Sequence, residues 1–81
     1  MKKSIYEPAY RALVATLREA RLEKGLRQED VARQLGVNRT WIAKIEICEI
    51  RLDVIQLVSL ARIYGLSAHE LVRQVEKTQH G

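Results

Sequence analysis

Between Gln28 and Glu46 the chain reads Q-E-D-V-A-R-Q-L-G-V-N-R-T-W-I-A-K-I-E, and this stretch leaves few folds open. Gln28 to Leu35 has Val31, Ala32 and Leu35 on one face at i, i+1 and i+4, which predicts a short amphipathic helix. Gly36 follows at once. Glycine takes a left-handed conformation without steric cost, so it can end a helix and reverse the chain. Val37 is the one apolar residue of the turn and is expected to plug the angle between the helices. Asn38 stands where an N-cap belongs, with a side-chain oxygen for an amide of the next turn. The second helix turns Ile42 and Ile45 inward. Arg39, Thr40 and Lys44 share its other face, and Trp41 lies at the margin.

Two short helices about a tight turn form a helix-turn-helix, whose second helix enters the DNA major groove. The stretch resembles the Cro/cI-type, or XRE, family of phage repressors and bacterial regulators. The resemblance runs over roughly residues 13 to 72, with Gly25, Gln28, Ala32, Gly36, Ile42, Ile45, Glu46 and Leu60-Ala61 at the family's spacing. It implies an all-α, five-helix bundle, a lambda-repressor-like DNA-binding domain with the helix-turn-helix at its second and third helices. The chain's small size and autonomy also resemble phage repressors and stand-alone members such as the restriction-modification controller proteins.

The rest of the chain supplies the other three helices. Residues 1–6 are expected to form a flexible arm, 7–77 a single domain and 78–81 a tail. Pro8 suits a first helical turn, where its missing N–H is no loss. Tyr10, Leu13, Val14, Leu17 and Ala20-Arg21 recur at helical spacing up to Lys24. Asp53 with Gln56 resembles a capping box. The helix it opens has Leu57, Leu60, Ala61 and Tyr64 for the core, which leaves Val54, Ile55, Val58 and Ile63 over. A small monomer seldom exposes so many apolar residues together. Ser67 and Glu70 form a second box, with Leu66 as a staple onto Leu71. A last helix then runs to about Lys77, with Leu71, Val72 and Val75 as its stripe.

Two positions depart from the family pattern. Arg27 takes a slot where Ser or Thr would cap the second helix, and arginine accepts no amide hydrogen bond. Its charge serves a phosphate or is a plain surface charge. Cys48 takes a glycine slot in Ile47-Cys48-Glu49-Ile50-Arg51-Leu52. A left-handed turn there carries strain, so the loop is expected to differ in shape.

Composition narrows the partners. The chain has 81 residues and a formal charge of +4, which favours an anionic partner without requiring one. One cysteine excludes an intrachain disulfide and fits a reducing cytosol. No apolar run is long enough for a signal peptide or a membrane helix. His69, His80 and Cys48 form no catalytic set, and no Cys/His cluster has metal-ligand spacing. No enzyme activity, metal, cofactor, small-molecule ligand, membrane association or second domain is expected.

Arg39 can donate to guanine in bidentate fashion, Lys44 can donate singly, and Thr40 offers a hydroxyl and a methyl. These three are the candidate base readers. The resemblance assigns backbone contacts to Gln28 and Asn38, the latter equally a plain cap. Trp41 lies against the sugar-phosphate or is half-core. Arg27, Arg51 and, more weakly, Arg33 are further phosphate candidates. It also implies a pair between Arg21 and Glu46 that sets the angle of the recognition helix.

The expected function is a cytoplasmic, nucleoid-associated transcriptional regulator of bacterial or phage origin. It would bind double-stranded DNA as a homodimer on an inverted-repeat operator. Ile47, Ile50, Ile55 and Val72 are the interface candidates. The alternative is an antitoxin or other interaction module whose main partner is a second protein.

Overall fold

The computed structural model describes residues 7–80, so the expected N-terminal arm and Gly81 lie outside the described residues. Five helices follow in order: α1 (Pro8–Glu23), α2 (Gln28–Leu35), α3 (Arg39–Glu46), α4 (Val54–Tyr64) and α5 (Ala68–His80). Pro8 opens α1 as expected. Asn38 Oδ1 accepts from the Trp41 amide at 3.0 Å. Asp53 and Gln56 exchange both bonds of their box, at 2.7 and 2.9 Å. Each of these bonds joins residues three apart, which is why helix starts were readable locally. Helix α5 runs on past the expected end at Lys77, with Thr78 Oγ1 donating to the Gln74 carbonyl at 2.9 Å. Among the described residues no helix is long and apolar enough to cross a membrane.

Helix α1 is the spine, packed against α3, α4 and α5, and α2 packs on α3 and α4. Val31 of α2 (0 % exposed) and Ile42 of α3 are the most completely buried large side chains. With Leu13, Val14, Leu17, Leu57, Leu60, Ala61, Tyr64 and Leu71 they form the core. Burial of these faces, rather than intrinsic propensity, stabilises helices as short as α2 and α3.

Several apolar residues differ from expectation. Val37 is exposed, because Gly36 in the left-handed region (φ 73°) turns the chain outward before α3 begins. Ile63 packs against the core, so it is not left over, and Val58 is half-buried. Leu71 and Val75 of α5 turn inward, while Val72 of the same stripe faces out, as an interface candidate must.

Cys48 also overturns its expectation. The loop keeps the left-handed turn that a glycine would make, with φ 59° at Cys48. The Cys48 amide donates to Ile45 O at 3.0 Å and the Glu49 amide to Lys44 O at 2.8 Å, closing the end of α3. The conformation costs roughly 1–2 kcal/mol for a non-glycine residue. Burial of the thiol in the core offsets part of that cost.

Burial, with the negative charge of Glu46 adding to it, pushes the Tyr64 hydroxyl up to about 12 from its ordinary 10.0. Between those values the unfolded chain releases this proton while the native protein keeps it, so stability falls as pH rises. The Tyr64→Phe variant should therefore lose less stability than the wild type over this interval. The difference should approach about 2–3 kcal/mol, read from denaturant melts at both ends of the range. Equal alkaline losses would mean that Tyr64 titrates normally.

Candidate nucleic-acid interface

The outward face of α3 is formed by residues that the core does not use. Ile42 and Ile45 point inward, and Arg39, Thr40 and Lys44 are exposed on the opposite side. At about 100° per residue, Ala43 falls between Arg39 and Thr40 on that face. Ala43 is a member of the surface that residue-by-residue reading missed. Its spacing could have revealed it. A methyl at such a position keeps that part of the helix surface low and apolar. Trp41 is half-buried and packs on the core, which favours its structural role.

The inner edge of α3 is held by a buried ion pair. Arg21 Nε and Nη2 donate to Glu46 Oε2 and Oε1 at 2.6 and 2.9 Å, a bidentate fork. The two side chains are only 9 % and 7 % exposed. Arg21 Nη1 also donates to Leu26 O at 2.8 Å. The hydrogen bond to Glu46 raises the Arg21 pKa above its ordinary value, although burial opposes the shift. The pair therefore ties the end of α1, the α1–α2 turn and the end of α3 together.

The ion pair extends to the outer face through Gln28. Gln28 Nε2 donates to Glu46 Oε1 at 3.0 Å, and Gln28 Oε1 accepts from Arg39 Nη1 at 2.9 Å. The Gln28 side chain is thus engaged on both ends within the protein. Its backbone N–H at the start of α2 and the second Nε2 hydrogen remain as donors. Arg39 keeps donors free beyond the one that Gln28 holds.

The other candidates are placed as follows. Arg27, Asn38 and Arg51 are exposed. The Arg27 guanidinium lies 2.9 Å from Glu29 and 3.3 Å from Asp30, so local carboxylates already neutralise it. Asp30 reaches back to the Arg27 amide at 2.8 Å, which supplies one half of a capping box despite the missing acceptor. That amide bond, followed by the guanidinium, holds the Asp30 carboxyl below its usual range. Arg33 lies 3.7 Å from the same carboxylate. Of the expected interface residues, Ile47, Ile55 and Val72 are exposed, and Ile50 is half-buried. Val54, 72 % exposed beside Ile55 at 74 %, belongs with them. No group of three or more potential metal ligands occurs among the described residues.

A family model described as "Helix-turn-helix domain" matches residues 12–74. The chain belongs to this helix-turn-helix family. The membership agrees with the XRE-type resemblance carried by Gln28–Glu46. An HTH-type transcriptional regulator, DdrOP3, of Deinococcus deserti is 34 % identical over 64 residues, covering 79 % of this chain and 50 % of the relative. A hypothetical transcription factor of Neisseria meningitidis is 31 % identical, over 82 % of this chain and 63 % of the relative. An uncharacterized HTH-type transcriptional regulator, y4dJ, of Sinorhizobium fredii is 36 % identical, over 75 % and 79 %. The chain thus spans half the length of the first relative and under two-thirds of the second.

Proposed function

We propose that this helix-turn-helix chain is a sequence-specific regulator of transcription, binding double-stranded DNA as a homodimer on an inverted repeat. The observation that carries the reading is the asymmetry of α3. One side is locked by Arg21, Glu46 and Gln28, and the other presents Arg39, Thr40 and Lys44 to solvent with Ala43 half-buried between them. A recognition helix needs both properties, a fixed orientation and a polar face of mixed donors and methyls. The names of the similar proteins, two of them HTH-type transcriptional regulators, support the same reading.

In a symmetric dimer two copies of α3 enter successive major grooves roughly 34 Å apart. The decisive experiment is selection from a random duplex library, followed by a salt titration on the enriched sequence. An enriched inverted repeat, bound far more tightly than scrambled DNA, is the expected result. Weak, steeply salt-dependent binding without enrichment would leave only generic charge attraction.

The homodimer surface is assigned to Ile47, Val54 and Ile55, which are 68 %, 72 % and 74 % exposed around the α3–α4 loop. Introducing a charge there should oppose self-association without disturbing the core. Ile55→Glu is expected to weaken the dimer by at least about tenfold in sedimentation, since it would bury an unpaired carboxylate. An unchanged dimer would move the interface elsewhere, with Val72 on α5 next in line. The same apolar surface favours the second reading, an antitoxin-like module with a different protein as partner. A clean homodimer supports the regulator, and a heterogeneous species supports the second reading.

A further inference from the structure

Tyr10 on α1 does more than fill the core. Its hydroxyl donates to the Ile50 carbonyl at 3.1 Å and accepts from the Leu52 amide at 3.1 Å. These two groups flank Arg51. The Arg51 guanidinium also lies over the Tyr10 ring, 5.3 Å from its centroid. One buried side chain therefore holds the backbone on both sides of an exposed arginine, and the arginine's head group as well. Burial keeps the Tyr10 hydroxyl above its ordinary pKa, so it stays protonated and can donate and accept at once.

Arg51 differs from five of the chain's nine arginines, and among the described residues it is the one that lies over an aromatic ring. Arg18, Arg21, Arg27, Arg33 and Arg73 each have a carboxylate within 4.0 Å. Among the described residues Arg51 has no such partner. Stacking on an aromatic face leaves the in-plane N–H groups of a guanidinium available for a bidentate anion. The position suits DNA. Helix α3 has 8 residues, so it is about 12 Å long, close to the width of the major groove. If α3 lay in that groove, the chain leaving its end would come near the sugar-phosphate backbone that borders it.

We propose that Tyr10 is a positioning residue that preorganises Arg51 to grip a DNA backbone phosphate. The assignment rests on the DNA-binding reading above. An arginine already held in place loses less rotamer freedom on gripping an anion, so its contact is stronger than that of an unordered one.

A double-mutant cycle tests this directly, because it separates action through Arg51 from a general loss of structure. Binding of a labelled mixed-sequence duplex is measured at low salt for Tyr10→Phe and Tyr10→Leu, each with Arg51 and with Arg51→Ala. With Arg51 present, losses of about threefold for phenylalanine and about tenfold for leucine are expected; with Arg51→Ala, both should fall below about twofold. Equal losses in both backgrounds would overturn the positioning role while leaving DNA binding intact. No binding by the wild type would instead remove the DNA reading, and this assignment with it.

The wild type provides a second measurement that does not depend on any variant folding. The Arg51 guanidinium resonance should move on saturation with the duplex. A resonance unmoved by the duplex overturns the assignment.

Discussion

Glu46→Ala is expected to destabilise the protein by about 3 kcal/mol, because it leaves a buried arginine without its carboxylate. Arg21 retains only the Leu26 carbonyl, and two of its donors lose their acceptors within a nearly closed site. For a domain of this size the melting temperature should fall by roughly 15 °C. Thermal unfolding followed by circular dichroism gives the value directly, and a fall of less than about 4 °C would mean that the pair is screened by solvent. Replacing both partners with apolar residues, Arg21→Met with Glu46→Leu, should cost less than either single change, since no uncompensated charge then remains. DNA affinity should nonetheless stay low in that double variant. The Gln28 amide would have lost the carboxylate that orients it, and with it the support of Arg39.

Arg39→Ala should cost about 1–3 kcal/mol of operator binding per half-site and relax preference at one base position in each. The fold should be unaffected, because Arg39 is exposed and, among the described residues, its side chain bonds to Gln28 alone. The measurement is a repeat of the duplex selection with the variant, with affinities compared across single-base changes of the wild-type site. A uniform loss over all sequences would reassign Arg39 to a phosphate contact. Gln28→Ala provides an internal comparison. It should weaken the same base preference partially, by releasing the guanidinium without removing it.

The helices and their ends were legible in the residues. Pro8, Asn38 and the Asp53–Gln56 box each act on a neighbour within one turn, so a linear reading could find them. Helical spacing likewise picked out Val31, Ala32, Ile42 and Ile45 as inward-facing. Spacing failed where an apolar residue had two possible faces to serve. Ile63 and Val72 lie on stripes that both looked usable, and only the packing of α4 and α5 against α1 determined that one turns in and the other out. Cys48 was misjudged for a related reason. The strain of its left-handed turn is local and visible in the sequence, but the burial that offsets it is supplied by other helices.

The candidate site divides along the same line. The sequence by itself determined that α3 would have one apolar and one polar face, because both follow from residue type and a fixed angular step. Arg39, Thr40 and Lys44 were found in that way. The tertiary structure alone decided that Gln28 joins Glu46 to Arg39, across 18 and 11 residues of chain, and that Tyr10 holds Arg51 from the far end of α1. A hydrogen bond between distant residues depends on where whole helices come to rest. Their resting positions are set by the shared core around Val31 and Ile42, which no single stretch of the chain contains.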